Sequence, residues 1–212
     1  MSTLDLARAL VGSLPSGLED MFNPWVDTCQ NDLPINTPAS KLERLAAHLD
    51  CKPKLILCGE APGWRGARYS GIAFTSEKLL LQGVIPRVES PRTRLTTRPT
   101  PLSEPSATIV WKSLYRLGIA ESTVLWNAVQ LQPMGANGPT SNRTPKRHEV
   151  QYGAKGLEML REAFPTARIV AVGKQAQAAM GAVGIEPVAC IRHPSFGGST
   201  EFNAGLERAL VD

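Results

Sequence analysis

The chain has 212 residues, and its hydrophobic content of 42% is enough to bury the core of one full domain. No apolar run approaches the ~20 residues of a membrane-spanning helix, and Met1 to Asp5 lack the basic and apolar character of a signal peptide. The formal net charge of +4 is mild and excludes no class of partner. We therefore expect a cytoplasmic protein without a membrane partner.

Strands and helices alternate in the predicted secondary structure. In chain order, the patterns predict a helix over Lys41–Leu49, a strand over Lys54–Gly59, a helix over Ser106–Leu117, a strand over Val124–Val129, a helix over Lys146–Ala163, a strand over Arg168–Gly173, a helix over Lys174–Val183, a strand over Val188–Arg192 and a helix over Glu201–Leu210. The strands are continuously apolar, which is typical of a parallel sheet covered on both faces.

The predicted fold class is therefore α/β, a three-layer α/β/α sandwich with a central four-stranded parallel sheet. We expect a single domain over residues 1–212, with an N-terminal helical extension over about residues 1–50. The segment from Val84 to Pro105 contains five prolines and is predicted to be a long functional or mobile loop.

Basic residues concentrate in two predicted loops. The Pro-rich loop carries four arginines against two acidic residues, and a second cluster follows a loop rich in Gly, Pro and Asn. The residues of these clusters are Arg87, Arg92, Arg94 and Arg98 in the first, and Arg143, Lys146 and Arg147 in the second. Basic groups confined to loops suit a polyanion such as nucleic acid. Charge alone is equally compatible with solvated, flexible loops.

Polar residues follow the predicted strands where each one ends. Glu60, Asn127, Lys174 and His193 stand at or just after these ends. Ligands of open parallel sheets bind outside the carboxyl ends of the strands, so these side chains are expected to meet at one edge of the sheet.

The cysteines and histidines show no metal-binding pattern. Four cysteines occur without a CxxC pair, and none of the three histidines has a partner at ligand spacing. We therefore expect no structural metal and no disulfide framework.

An ordered set of motifs resembles the uracil-DNA glycosylase superfamily, most closely its iron–sulfur branch. The motifs are GEAPG at 59–63, GIAFTSE at 71–77, EPSATIVWKSL at 104–114, LWNAVQLQP at 125–133, NRTP at 142–145 and RHPSFGG at 192–198. The resemblance implies a monofunctional uracil-DNA glycosylase of base excision repair, which flips uracil out of DNA and hydrolyses its N-glycosidic bond to leave an abasic site. Its partners would be DNA containing uracil or abasic sites and the product uracil, bound by a monomer.

The resemblance also implies roles for residues in the pocket. Glu60 and His193 would be catalytic, Glu60 at the developing sugar cation and His193 at the uracil oxygen. The residues that bind uracil would be Gly59, Ala61, Phe74, Asn127 and His193. Other interpretations remain open: Glu60 could pair with Arg65 or Arg68, Phe74 could be a core aromatic, and Asn127 could be a turn residue.

A further group of residues would contact the DNA backbone. Ser106 and Ser195 are predicted to bind phosphates, and Phe196 to fill the space that the flipped base leaves. The arginines predicted to follow the phosphates are Arg92, Arg94, Arg143 and Arg147.

Two departures from the family pattern bear on cofactor and specificity. The closely paired N-terminal cysteines of the iron–sulfur branch are missing, so we expect no cluster and no other cofactor. A second branch places Asp and Tyr where this chain has Ala61 and Gly63, and that Tyr excludes thymine.

Two rival functions remain: a protein that binds uracil or abasic sites with little turnover, and an enzyme that processes nucleotides. Lys174 leaves lyase activity open.

Overall fold

The computed structural model describes residues 2–211, so Met1 and Asp212, the two ends of the predicted domain range, lie outside the described residues. The helices are α1 (Thr3–Gly12), α2 (Pro38–Leu49), α3 (Ala67–Ser70), α4 (Glu77–Leu81), α5 (Pro105–Arg116), α6 (Arg147–Val150), α7 (Ala154–Ala163), α8 (Lys174–Gly181) and α9 (Ser199–Val211). The strands are β1 (Met21–Phe22), β2 (Leu55–Gly59), β3 (Thr123–Asn127), β4 (Gln132–Gly135), β5 (Gly138–Asn142), β6 (Arg168–Val172) and β7 (Ala189–Ile191).

The central sheet has four parallel strands in the order β3-β2-β6-β7. Every residue of β2 and β3 is buried, which explains why these strands are continuously apolar in the sequence. The predicted α/β fold with a four-stranded parallel sheet is thereby confirmed.

Successive residues of β2 point to opposite faces of the sheet and enter two different core clusters. Leu57 packs with α5 and α9, through residues that include Trp111 and Phe202. Ile56 packs on the other face with α1, α2, α7 and α8, through residues that include Leu45. The sheet is therefore the middle layer of three.

The predicted helix over Lys146–Ala163 is interrupted in the structure. A short 3₁₀ turn over Gln151–Gly153 separates α6 from α7. At Gly153 the backbone lies so close to the carbonyl of Ala128 that any Cβ would collide with it. The interruption thus brings this segment directly against the loop that follows β3.

The N-terminal part is less helical than predicted, because β1 and long turns lie between α1 and α2. Strand β1 pairs with β4, and β4 pairs with β5, in a second, antiparallel sheet that the sequence did not predict. No helix within residues 2–211 is long and apolar enough to cross a membrane.

The Pro-rich segment after α4 is anchored to a buried carboxylate. The side chain of Glu77 is 0% exposed and accepts hydrogen bonds from the backbone N–H groups of Leu95 (2.8 Å), Thr96 (3.0 Å) and Leu102 (2.9 Å). The Arg94 guanidinium donates to it at 2.9 Å. One acidic residue therefore fixes the conformation of this loop.

Candidate active site

A cleft of about 870 Å³ opens at the carboxyl ends of the parallel strands. Glu60 enters it from the end of β2, Asn127 from the end of β3, Lys174 from the start of α8 and His193 from the loop after β7. These four side chains therefore lie together at one edge of the sheet, as expected from the sequence. Ala61, Phe74, Ser106, Ser195 and Phe196 also line the cleft.

Gly59 leaves room for two of these side chains. It lies beside Asn127 in the parallel register of β2 and β3. A Cβ on Gly59 would be 2.7 Å from the Asn127 Oδ1 atom and 2.7 Å from the Phe74 ring. The Asn127 side-chain amide has no hydrogen bond to any other part of residues 2–211, and its backbone oxygen accepts from Gln130 at 2.6 Å. Asn127 therefore presents a donor and an acceptor to the cleft.

Phe74 is held in an unusual backbone conformation. Its φ angle is 49°, in the left-handed region that residues other than glycine rarely adopt. The Trp111 indole N–H donates to the Phe74 carbonyl at 3.0 Å and stabilises this conformation. Phe74 is 7% exposed and packs within the core below the cleft, and the centroid of its ring lies 6.1 Å from that of His193. Phe74 is thus both a core aromatic and part of the cleft wall.

The imidazole of His193 is oriented by the residues that follow it. The Ser195 backbone N–H donates to Nδ1 at 3.2 Å, and the Ser195 hydroxyl lies 2.7 Å from the same atom. Because a backbone N–H can only donate, Nδ1 is an acceptor, and the hydrogen of the neutral ring is on Nε2. Burial, aided by Arg192, lowers the pKa of His193 below its ordinary value. His193 is therefore a neutral donor through Nε2.

Within residues 2–211, Glu60 forms no salt bridge. Arg68 donates to the Gln132 side chain at 2.6 Å and lies over the Phe22 ring, while Arg65 lies over the Trp64 ring. The salt bridge to Arg65 or Arg68 that the sequence left open is therefore not formed. Burial raises the pKa of Glu60. The carboxylate faces the cleft, free for a ligand or water.

The residues predicted to contact DNA fall into different environments. Phe196 projects from the cleft rim, with 98% of its surface exposed and a φ angle of 51°. Arg92 and Arg147 are exposed. Arg94 pairs with Glu77 at 2.9 Å, and Arg143 pairs with Glu149 at 2.6 Å.

Arg143 also pairs with Asp20 at 2.9 Å. These two arginines therefore stabilise their own loops, and their contact with phosphates stays a prediction. None of the four predicted arginines is among the residues lining the cleft.

The sequence did not single out several residues of the cleft. The Trp64 backbone N–H donates to the Asn142 side-chain oxygen at 3.0 Å. The guanidinium groups of Arg65 and Arg98 lie over the Trp64 ring, at 4.8 and 5.7 Å from its centroid. Glu104 also lines the cleft. Asn142 and Glu104 begin two of the motifs quoted above, so their positions in those motifs were the available signal.

The four cysteines lie in separate environments. Cys29 and Cys58 are buried, Cys51 is partly buried, and Cys190 is exposed. Within residues 2–211, no group of three or more His, Cys, Asp or Glu side chains is placed to hold a metal ion. The thiols therefore do not fit a four-cysteine iron–sulfur cluster, and the absence of a cluster stays a prediction.

Comparison with known proteins identifies the family of this chain. The model of the uracil DNA glycosylase superfamily matches residues 47–206, which include every strand of the parallel sheet. The chain belongs to this superfamily. The crystal structure of wild-type Pedobacter heparinus SMUG2 is similar, with a TM-score of 0.65 and 15% identity, over 100% of this chain and 97% of that one. At this identity the match shows a shared fold. No curated protein matches the chain.

Proposed function

We propose that this chain is a monofunctional uracil-DNA glycosylase, acting as a monomer on uracil in DNA and leaving an abasic site. Membership of the superfamily supports a DNA glycosylase. The observation that carries the finer assignment is the convergence of Glu60, Phe74, Asn127 and His193 in one cleft. An aromatic face, an amide, a neutral imidazole and a carboxylate are the groups that recognition and hydrolysis of a uracil nucleotide require.

Base recognition is assigned to Phe74 and Asn127. A flipped uracil would stack on the Phe74 ring, and stacking on an aromatic side chain contributes about 1–3 kcal/mol per base. The Asn127 amide would accept from uracil N3–H and donate to O4. Cytosine presents the opposite pattern at this edge and would leave buried polar groups unpaired, at about 1–3 kcal/mol per group. This mismatch is the proposed source of preference for uracil.

The bond broken joins C1′ of the sugar to N1 of uracil. Its electron pair leaves with the base, so the sugar becomes cationic and the base anionic. His193 would donate through Nε2 to uracil O2, where negative charge develops. Glu60 would stabilise the sugar cation and orient the water that adds to C1′, accepting its proton. A neutral imidazole suits this role, because it stabilises the departing base without protonating it first.

The backbone contacts are assigned to the rim of the cleft. Ser106 lies in the first turn of α5, where the free backbone N–H groups of a helix favour a phosphate. Phe196 is the proposed wedge, because its exposed ring can enter the stack that the uracil leaves.

The test is single-turnover cleavage of a uracil-containing oligonucleotide, read out by alkaline cleavage at the abasic site. We expect Glu60→Gln to lower the rate at least tenfold while DNA affinity stays similar or rises. Gln preserves the shape but removes a charge that matters only when the sugar becomes cationic. Asn127→Ala should weaken both the rate and the preference for uracil over cytosine.

Two results would overturn the proposal. DNA that is bound but not cleaved in a single turnover would favour a binding protein, whereas turnover of free nucleotides with no cleavage of DNA would favour a nucleotide-processing enzyme. If Glu60→Gln kept the full single-turnover rate, the catalytic role of Glu60 would be wrong.

A further inference from the structure

Glu104 is a second carboxyl group in the cleft, and the mechanism above leaves it unused. It precedes Pro105 at the start of α5, and its Oε1 accepts a hydrogen bond from the Ser106 hydroxyl at 2.9 Å. Its Oε2 is buried and has no hydrogen-bond partner within the described part of the chain. The carboxyl fits against the Gly-rich turn after β2, where a Cβ on Gly66 would collide with Oε2.

In the part of the chain that the structure describes, no cation pairs with this carboxyl group. The other titratable or charged groups of the cleft come from the turn after β2, from α8, and from β7 with its following loop; they are Glu60, Arg65, Lys174, Cys190, Arg192 and His193. Within residues 2–211, none of them forms an ion pair or hydrogen bond with Glu104. Burial raises the pKa of Glu104, and the bond from Ser106 opposes that shift only in part.

The protonation state of Glu104 decides where the Ser106 hydroxyl hydrogen points. An ionised carboxylate only accepts, so the single hydrogen of Ser106 must point to Glu104. A neutral carboxyl group can instead donate to the Ser106 oxygen, which frees the hydroxyl hydrogen for a phosphate. A phosphate beside α5 would also repel an ionised Glu104. Both effects favour the protonated form when DNA is bound.

We propose that Glu104 is a positioning residue that takes up one proton when a DNA phosphate binds at Ser106, and so turns the Ser106 hydroxyl towards that phosphate. The proposal rests on the proposed function, which places a phosphate there. The proton comes from solvent, and no covalent bond changes. By linkage, DNA affinity should fall as pH rises above the pKa of Glu104 in the free protein, by up to about tenfold per pH unit.

The experiment measures binding of an oligonucleotide that carries a 2′-fluorinated deoxyuridine, which resists cleavage. Calorimetry in two buffers of different ionisation enthalpy gives the number of protons taken up. At pH values above the pKa of Glu104 in the free protein, we expect uptake by the wild type and by Glu60→Gln, but none by Glu104→Gln. The amide of Gln can donate to Ser106 at every pH and carries no negative charge, so this variant should bind more tightly at high pH, with no pH dependence in that range.

The two carboxyl variants control for each other. Uptake that persists in Glu104→Gln and disappears in Glu60→Gln would assign the proton to Glu60 and overturn the proposal. The proposal is also overturned if the wild type takes up no proton. This result does not depend on whether either variant folds. Failure of the Glu104 inference can be distinguished from failure of the proposed function. If the protein cleaves a uracil oligonucleotide but takes up no proton on binding, only the Glu104 inference is refuted.

Discussion

Replacement of Glu77 by Gln tests whether one buried carboxylate holds the Pro-rich loop in place. Oε1 accepts from Arg94 and from the backbone N–H groups of Leu95 and Thr96. Oε2 accepts from Leu102 N–H, from the Thr96 hydroxyl and, at 3.4 Å, from the second guanidinium nitrogen of Arg94. Gln keeps one oxygen but places an NH₂ group where the other was. The donors at that position would lose their acceptor and face another donor.

The size of the effect follows from this geometry. Hydrogen bonds to a charged group contribute about 1.5–3 kcal/mol each, and breaking a buried ion pair costs about 3–5 kcal/mol. The three bonds at Oε2 would be lost, and both oxygen positions would lose their negative charge. We therefore expect Glu77→Gln to lower the free energy of unfolding by about 3–5 kcal/mol.

Denaturant unfolding of wild type and variant measures the difference. Glu89→Gln is the matched control, because Glu89 lies in the same loop but is exposed; its effect should stay within about 0.5 kcal/mol. The hydrogen bonds lower the pKa of Glu77 in the folded state. Its contribution should be complete above the ordinary carboxyl pKa of 4.5 and be lost as pH falls through the lower folded value. A difference below about 1 kcal/mol at neutral pH would refute the reasoning.

Three further predictions concern the cleft, the arginines and the cofactor. Gly59→Ala should fold but cleave uracil DNA at least tenfold more slowly than wild type in single-turnover assays, because its Cβ would displace Asn127 and Phe74; an unchanged rate would contradict this geometry. Arg92→Ala should lower the log–log salt slope of DNA binding by about 0.7–0.9. If Arg92→Ala/Arg94→Ala leaves the slope unchanged, the loop does not bind phosphates. Purified protein should be colourless. A near-stoichiometric iron content together with visible absorption would contradict the prediction that no cluster is bound.

The sheet and the positions of the cleft residues were predictable because both follow from local patterns. A parallel strand buried on two faces is a continuous apolar run, and its carboxyl end is visible as the residue where that run stops. Glu60, Asn127 and His193 could therefore be assigned to one edge of the sheet from the sequence alone. The antiparallel sheet could not, because β4 and β5 contain Pro and Gly and β5 is largely exposed, so neither strand shows an apolar alternation.

The arginines illustrate why charge patterns are harder to interpret than apolar ones. Arg92 and Arg94 are two positions apart in one basic loop, yet Arg92 is exposed while Arg94 pairs with Glu77, which lies 17 residues earlier in the chain. Such a pairing leaves no local signal, because it depends on how the loop folds back onto α4. The same holds for Arg143 and its partner Asp20. A basic loop therefore marks a candidate surface for DNA, but only its partners in the fold decide which charges remain available. On this basis Arg92 and Arg147 are stronger candidates for phosphate contacts than Arg94 and Arg143.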